Sequence, residues 1–199
     1  HEGVYLSGDV MLDAMKHFLP MANANSKVLE SLSLSAGNYH LLTIHRAENS
    51  DDSRRLAEIF SGLSASPLPV IFPMHPRMKG ILAKKDLACL LEKAWQIKVI
   101  EPVGFLDMIA LESNANKIIT DSGGVQKEAY FLKKACITMR DETEWTETVT
   151  EGYNIITGAD RTKIVDAILH FAPVHEPKNY FGDGLAGLHI AKAIEDYLK

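Results

Sequence analysis

Residues 117–129 read KIITDSGGVQKEA, a short and mostly apolar run followed by a glycine turn and a segment of helix-forming residues. A four-residue run of this kind is typical of a strand that is buried on both faces. When such a strand passes through Ser122-Gly123-Gly124 into a helix, the first N–H groups of the helix have no partner inside it. Because the helix dipole adds positive potential at the same end, this turn predicts a phosphate-binding site.

Five further apolar runs are similar, and amphipathic segments lie between them. Leu56, Ile59, Phe60 and Leu63 are spaced i, i+3, i+4 and i+7, which predicts a helix with one apolar face. Strands that alternate with helices predict an α/β fold, here a Rossmann-like, mainly parallel sheet of about six strands with helices on both faces. The runs are residues 41–44, 70–72, 97–100, 135–138 and 154–156, and the other helical patterns are Phe105-Met108-Ile109 and Ile164-Val165-Ile168-Leu169 with Thr162 as its expected cap.

The two ends of the chain show different patterns. Residues 4–6 have the composition of a strand, and the preceding residues lack the basic and apolar regions of a signal peptide, so none is expected there. Residues 188–198 form an amphipathic pattern after a loop-like stretch, 173–184, which contains two prolines and two glycines. We expect this last helix to pack elsewhere than on its own sheet.

The composition is that of an acidic globular protein. Of the 199 residues, 46% are hydrophobic and 24% are charged, which excludes a disordered chain, a collagen and a coiled coil. A net charge of -5 argues against general binding to nucleic acid or to a membrane, and no apolar run approaches the ~18 residues of a membrane span. Cys89 and Cys136 follow no pattern, which predicts a reducing compartment and hence the cytoplasm, with Cys136 as a buried thiol.

Polar residues follow the predicted strands at the points where the strands end, and ligands of open parallel sheets bind at that edge. His45 follows the first strand, where an imidazole acts as an acid, a base or a phosphate donor, or only ties down its own loop. Glu128 lies one to two turns into the helix after Ser122, where it accepts ribose hydroxyls, or is a solvated residue while Ser122 is only an N-cap. His75, before Pro76, is a second candidate, with a simple turn as the alternative.

Several common site motifs are absent from the sequence. No set of histidines, cysteines and carboxylates has zinc-like spacing, and there is no Walker loop, dinucleotide fingerprint or Gly-x-Ser-x-Gly elbow. The sequence therefore predicts neither a metal nor a cofactor, and it disfavours NAD chemistry, P-loop ATP hydrolysis and serine hydrolysis.

Seven segments together form a more specific pattern. They are residues 7–14 (SGDVMLDA), 43–49 (TIHRAEN), 74–76 (MHP), 101–105 (EPVGF), 120–129 (TDSGGVQKEA), 140–144 (RDETE) and 181–186 (FGDGLA). In this order they resemble the non-hydrolysing UDP-N-acetylglucosamine 2-epimerases. The resemblance spans essentially the whole chain but only the C-terminal half of the family's length.

The resemblance implies a two-domain, glycosyltransferase-B-like protein in which residues 1–199 are the C-terminal UDP-binding domain. The N-terminal domain, which supplies the carboxylates that handle the C2 proton, is absent from this sequence. The implied reaction converts UDP-N-acetylglucosamine into UDP-N-acetylmannosamine by eliminating UDP, forming a 2-acetamidoglucal and adding UDP back with C2 inverted. The resemblance also implies a homodimer of the full-length protein and a role in cell-surface polysaccharide biosynthesis.

The resemblance assigns roles to particular residues. His45 matches a family histidine near the diphosphate and the sugar, and is the implied catalytic residue. Glu48 and His75 match positions linked in some bacterial members to a second, regulatory UDP-sugar. The residues implied to bind UDP are Val103, Phe105, Met108, Ser122, Gly123, Gly124, Glu128, Arg140 and Trp145.

Two positions depart from the family's pattern. Met108 stands where the family usually has an aromatic residue near the uracil, and Trp145 stands where it often has an arginine. Loss of a guanidinium removes a bidentate partner for phosphate or carboxylate. These differences keep UDP-2,3-diacetamido-glucuronate open as the alternative substrate, and a UDP-sugar glycosyltransferase or a non-catalytic UDP-binding module as alternatives from other classes.

Overall fold

The computed structural model describes residues 3–84 and 88–199, and it contains one parallel six-stranded sheet. Its order is β3-β2-β1-β4-β5-β6, and every neighbouring pair is parallel. The prediction of a mainly parallel sheet of about six strands is therefore confirmed. The strands are β1 (His40–Thr43), β2 (Val70–Pro73), β3 (Ile97–Ile100), β4 (Lys117–Thr120), β5 (Ala135–Thr138) and β6 (Asn154–Ile156).

Helices cover both faces of the sheet, as predicted. They are α1 (Val10–Asn25), α2 (Val28–Ser31), α3 (Ala47–Ser50), α4 (Ser53–Leu63), α5 (Pro76–Lys84), α6 (Ala88–Lys93), α7 (Phe105–Asn114), α8 (Gly123–Phe131), α9 (Thr146–Thr150), α10 (Arg161–His170) and α11 (Ala186–Tyr197). One apolar core joins α4, α5 and α10 to the sheet, and a second joins α1, α7 and α8 to its other face. Among the helices in the described residues, none is long and apolar enough to cross a membrane.

Alternate side chains of the central strands point into the two cores. In β1, Leu42 belongs to the core with α4 and Leu41 to the core with α1, because successive side chains of a strand face opposite ways. Cys136 of β5 is buried as predicted, and burial raises the pKa of its thiol to about 12. The expectation of burial on both faces is wrong for β3, where Lys98 and Val99 are exposed because β3 is an edge strand.

Most predicted helices are confirmed, with one change of cap. The side chain of Asp160 accepts a hydrogen bond from the N–H of Lys163 at 3.1 Å and caps α10, whereas Thr162 lies inside the helix. An aspartate at this position satisfies an N–H that the helix itself leaves without a partner. The last helix, α11, packs on α1 as expected, and Asp13 of α1 accepts hydrogen bonds from its first two N–H groups.

The longest helix, α1, is missing from the sequence-based prediction, and the strand expected at residues 4–6 does not form. Asp9 caps α1 by accepting from the N–H of Met11 at 2.8 Å, and Pro20 lies inside the helix. An interior proline normally argues against a helix, and here packing against α7 and α8 outweighs it. Val4, Tyr5 and Leu6 are exposed and belong to no strand.

Stability should depend on pH through His40, which lies at the start of β1 beside Lys117 and is 1% exposed. Burial, and to a smaller extent the charge of Lys117, lower the pKa of His40 from its usual value of 6.5 to about 4. Between these two values the unfolded chain binds a proton at His40 that the folded protein does not. The free energy of unfolding therefore falls as the pH drops through this window. In the wild type we expect this effect to lower the free energy of unfolding by about 2 kcal/mol between pH 7 and pH 5, and we expect His40→Leu to abolish that decrease.

Urea unfolding at both pH values measures this effect. His17→Leu, a substitution of an exposed histidine on α1, is the matched control and should keep the wild-type pH dependence. Equal pH dependence in His40→Leu and the wild type would contradict the assignment.

Candidate functional site

The centre of the sheet defines the candidate site. The order of the strands reverses between β1 and β4, and the crevice outside the carboxyl ends of two such strands is where ligands bind in open α/β sheets. The two strands end in register, with Thr43 paired to Thr120 and their hydroxyl oxygens 2.5 Å apart. His45 and Ser122 each lie two residues beyond the end of their strand, so the register places both at one edge of the sheet.

Asp121, directly after β4, holds the loop that carries His45. It is 0% exposed, and its carboxylate accepts the backbone N–H groups of His45 at 3.1 Å and of Arg46 at 3.2 Å. It also accepts from Nδ2 of Asn49 at 3.2 Å. The side chain of His45 is 49% exposed, and its Nδ1 lies 3.4 Å from Oδ1 of Asp121. The imidazole of His45 thus lies at the rim, the ligand-binding edge of the sheet at the carboxyl ends of the strands. Its backbone N–H is held by the buried carboxylate of Asp121.

Asn49 and Arg55 extend this network to the loop after β5. Asn49 donates from Nδ2 to the carbonyl of Met139 at 2.8 Å and accepts from Nε of Arg55 at 2.9 Å. Arg55 donates in turn to Asp141 and to Glu48, both at 3.1 Å. The two carboxylates and the amide leave Arg55 little freedom, so it ties the loops after β1 and β5 together.

The turn after β4 forms the N-terminus of α8, as predicted. The hydroxyl of Ser122 accepts from the N–H of Val125 at 3.4 Å, and the N–H of Ser122 donates to the hydroxyl of Thr120 at 2.9 Å. Ser122 is therefore an N-cap. This capping does not conflict with anion binding, because it occupies one of the first N–H groups of the helix and the start of α8 still faces the rim.

The loop after β5 approaches Gly123 closely. A Cβ at Gly123 would collide with the carboxylate of Glu144 and lie 3.4 Å from Nε1 of Trp145. Arg140 donates to Glu144 at 2.7 Å. A hydrogen bond from its own backbone N–H, together with Arg140, holds the pKa of Glu144 below its usual value despite partial desolvation. Arg140, Glu144 and Trp145 thus stand beside the start of α8.

Trp145 also contacts the first helix through Lys127. The Lys127 ammonium lies 4.4 Å from the centre of the indole ring and 2.6 Å from the carboxylate of Asp9, which caps α1. The indole Nε1 is buried, and no hydrogen-bond partner for it occurs among the residues that the structure describes. A buried N–H donor without a partner is costly, so Nε1 is available to an acceptor atom of a ligand.

Glu128 does not lie on a freely solvated face. It is partly buried on α8, and its charge acts on Glu112 of α7, which is 1% exposed. Burial and then the charge of Glu128 raise the pKa of Glu112 well above its usual value. Neither oxygen of the Glu112 carboxyl group has a hydrogen-bond partner among the residues that the structure describes. Burial also raises the pKa of Glu128, against smaller opposing effects of Glu112 and Lys127. Burial thus favours the protonated form of Glu112.

Val103, Phe105 and Met108 lie around the start of α7, after β3. The ring of Phe105 is 55% exposed and meets Phe18 of α1 edge-on, with ring centres 5.2 Å apart. Met108 and Val103 are partly buried against the core of α1, α7 and α8. A cavity of about 450 Å³ borders Val103 and Gly104. Phe105, rather than Met108, therefore presents the exposed apolar surface.

Glu48 and His75 follow two neighbouring strands, β1 and β2. Glu48 is held by Arg55, and Nδ1 of His75 accepts from the N–H of Arg77 at 3.2 Å. His75 immediately precedes α5, and its imidazole accepts one of the first N–H groups of that helix, as expected if His75 belongs to a simple turn.

The family follows from comparison with known proteins. A family model described as UDP-N-acetylglucosamine 2-epimerase matches residues 1–195. The chain belongs to this family. A homolog of UDP-N-acetylglucosamine 2-epimerase from Methanococcus maripaludis is 43% identical over 198 residues, which cover 98% of this chain and 56% of that protein.

Two further similarities concern the substrate and the fold. The UDP-2,3-diacetamido-2,3-dideoxy-D-glucuronate 2-epimerase of Pseudomonas aeruginosa is 38% identical over 190 residues, 93% of this chain and 51% of that protein. The crystal structure of Methanocaldococcus jannaschii UDP-GlcNAc 2-epimerase in complex with UDP-GlcNAc and UDP is 40% identical with a TM-score of 0.87, and the match covers 97% of this chain and 54% of that one. The chain thus spans about half the length of its relatives, and its sheet is one half of the glycosyltransferase-B-like fold.

Several residues of the site escaped the sequence analysis. Asp121, Asn49, Arg55 and Glu112 received no role, although Asp121 follows directly after a strand and Asn49 belongs to the same short motif as His45. The positions of Asp121 and Asn49 in the sequence indicate that both lie near the edge of the sheet, but they do not indicate which residues each one hydrogen-bonds. Arg55 and Glu112 give no signal at all, because both lie in ordinary helical patterns.

The raised pKa of Glu112 predicts that stability falls as the pH rises. Glu112 keeps its proton when folded and loses it when unfolded, so the free energy of unfolding contributed here falls as the pH rises above about 4.5 towards the raised pKa of the folded state. Glu112→Gln keeps the size of the side chain but cannot ionise. We expect its free energy of unfolding to fall less steeply with rising pH, by up to about 1.4 kcal/mol per pH unit.

Chemical denaturation from pH 5 to pH 9 measures the slope. Glu58→Gln removes an exposed carboxylate of α4 and should behave like the wild type. A Glu112→Gln slope equal to that of the wild type would show that Glu112 is ionised in the folded protein.

Proposed function

We propose that residues 1–199 form the C-terminal, UDP-binding domain of a two-domain epimerase that inverts C2 of a UDP-2-acetamido sugar. One observation carries the proposal above all: the switch point between β1 and β4 brings the start of α8 to the same edge as His45. Membership of the epimerase family, and a relative of the same fold in complex with UDP-GlcNAc and UDP, support the same activity.

In this proposal UDP lies along the edge of the sheet. Its diphosphate binds at Ser122-Gly123-Gly124, where the helix N-terminus favours an anion, with Arg140 and the indole N–H of Trp145 beside it. Its ribose hydroxyls donate to Glu128. The uracil lies at the start of α7, against the exposed ring of Phe105 and near Val103 and Met108.

The chemistry requires such a site because C2 of the sugar is not adjacent to a carbonyl, which makes its proton hard to remove directly. Removal of the C2 proton with departure of UDP from C1 gives a 2-acetamidoglucal, and re-addition of UDP at C1 with delivery of a proton to the other face of C2 inverts C2. The start of α8 stabilises the charge that grows on the departing diphosphate. His45 donates to the diphosphate or moves a proton, and the carboxylates that exchange the C2 proton come from the other half of the protein.

UDP-N-acetylglucosamine is the proposed substrate, and UDP-2,3-diacetamido-glucuronate is the second candidate. The Pseudomonas aeruginosa relative carries the second name at 38% identity, and Trp145 removes a guanidinium from the site. Relatives at 38–43% identity carry epimerase names, which favours an epimerase over a glycosyltransferase or a non-catalytic module.

The wider setting stays a prediction. We propose a cytoplasmic protein, a homodimer at full length, that works in cell-surface polysaccharide biosynthesis. Glu48 and His75 remain the proposed contacts of a regulatory UDP-sugar, and they follow adjacent strands of the same edge.

Binding of UDP to the chain tests the nucleotide site. We expect Glu128→Ala to weaken binding by roughly 1–3 kcal/mol, because a buried hydrogen-bond partner of the ribose is lost. Calorimetry with UDP measures the change, and circular dichroism verifies folding. Glu58→Ala, at an exposed position of α4, should bind like the wild type. If Glu128→Ala kept full affinity, Glu128 would have no role in binding ribose.

The reaction itself requires both halves of the family's fold. In a protein that joins this chain to a family N-terminal half, we expect His45→Asn to lower kcat by about 10²-fold or more, the scale of acid–base groups. Its thermal stability should change little, since exposed substitutions cost within about 0.5 kcal/mol. Uptake of deuterium from D₂O at C2 reports turnover, and this chain alone should give none. A destabilised but fully active His45→Asn protein would contradict catalysis by His45.

A further inference from the structure

We propose that Asp121 is a positioning residue that sets the orientation and the tautomer of His45. Asp121 holds the proton on Nδ1 of the imidazole and so leaves Nε2 as the reactive nitrogen at the rim. The inference rests on the proposed role of His45 in proton handling. Three features carry it: the backbone contacts of Asp121, the placement of the imidazole, and the residues that prevent the carboxylate from turning.

The backbone contacts fix the loop under the ring. The N–H groups of His45 and Arg46 both donate to the Asp121 carboxylate, to Oδ1 at 3.1 Å and to Oδ2 at 3.2 Å. Two consecutive amides on the two oxygens of one carboxylate determine the direction in which the chain leaves β1. The Cα–Cβ bond of His45 therefore has a defined position relative to Asp121.

The imidazole of His45 lies between the buried Asp121 and the solvent. Nδ1 of His45 lies 3.4 Å from Oδ1 of Asp121, while the His45 side chain is 49% exposed and Asp121 is 0% exposed. Nδ1 is thus the ring nitrogen beside the buried carboxylate, and the proposal puts Nε2 on the part of the ring that is open to solvent. Contacts of this kind are often long without substrate and shorten in the reacting complex.

Asn49 and Arg55 keep the carboxylate in place. Nδ2 of Asn49 donates to Oδ2 of Asp121 at 3.2 Å, and the same amide is held by the carbonyl of Met139 and by Nε of Arg55. Asn49 is 0% exposed. With Oδ2 engaged by Asn49 and Arg46, Oδ1, which also accepts the backbone N–H of His45, is the carboxylate oxygen that lies 3.4 Å from the imidazole.

The tautomer follows from which atoms can donate. An ionised carboxylate only accepts hydrogen bonds, so the nitrogen that faces it must carry the proton. The hydrogen bond made by one ring nitrogen sets the state of the other, and Nε2 is left with its lone pair. Such an Nε2 accepts a proton, and the imidazolium that forms donates to an anionic diphosphate while Asp121 stabilises its charge.

His75 provides the opposite case within the same chain. Its Nδ1 accepts from the N–H of Arg77 at 3.2 Å, so the neutral ring of His75 carries its proton on Nε2. A neutral imidazole in water also prefers the proton on Nε2. The proposal therefore predicts that His45 departs from the ordinary tautomer and that His75 does not.

Long-range ¹H–¹⁵N spectra of the ¹⁵N-labelled chain at about pH 8, above the ordinary histidine pKa, measure both tautomers at once. His45→Gln and His75→Gln assign the two sets of signals. We expect His45 mainly in the Nδ1–H form and His75 mainly in the Nε2–H form. An Nε2–H form of His45 in the wild-type chain would overturn the proposal. This test is made on the wild-type chain, so it does not depend on whether a variant of Asp121 folds.

Two variants sharpen the test. Asp121→Asn replaces an acceptor that serves both Asn49 and His45 with an amide, and we expect His45 to shift towards the Nε2–H form. Glu58→Gln makes the same change of charge at an exposed position of α4 that does not face the imidazole, and it should leave the tautomer of His45 unchanged. If the folded Asp121→Asn chain kept the Nδ1–H form, the tautomer would not depend on Asp121 and the proposal would be wrong.

Titration of the same samples with UDP separates this proposal from the function it rests on. A chain that binds UDP while His45 is in the Nε2–H form contradicts the role of Asp121 alone. A chain with His45 in the Nδ1–H form that does not bind UDP supports the role of Asp121 and contradicts the nucleotide site.

Discussion

The parallel pairing of β1 with β4 is the constraint on which the rest of the site depends. Thr43 and Thr120 end the two strands in register, at the one place in the sheet where the strand order reverses. Crossover helices leave this point towards opposite faces, so a crevice opens between the two loops. A shift of one residue in the register would turn every side chain of one strand to the other face and separate His45 from the start of α8.

Asp121 converts this register into a rigid site. It is buried, yet it accepts hydrogen bonds from two backbone amides and one side-chain amide, so its burial cost is offset. Through Asn49 and Arg55 the same network reaches the loop after β5. In the short segment from His45 to Asn49, the side chain of His45 is therefore half exposed, whereas Asn49 is buried and hydrogen-bonds the neighbouring loops.

The first helix contributes to the same site from outside the sheet. Asp9 caps α1 and also binds Lys127 of α8, whose ammonium lies against the ring of Trp145. A tryptophan at this position gives up the charge and the bidentate geometry of an arginine. In exchange it packs under Lys127 and keeps one N–H donor beside Gly123. The departure from the family's pattern is thus supported by its neighbours in the fold.

The sequence by itself determined the six strands, their parallel arrangement and the glycine turn before α8, because short apolar runs and glycine turns are local signals. It also placed His45, Ser122 and Glu128 near one edge, since each follows a strand. It did not predict α1, where Pro20 opposes a helix and only packing against α7 and α8 stabilises one. Nor did it show that Glu128 faces Glu112, or that Asp121 lies under His45. Those contacts join residues 16 and 76 positions apart, and only the register of the sheet and the packing of its helices bring them together.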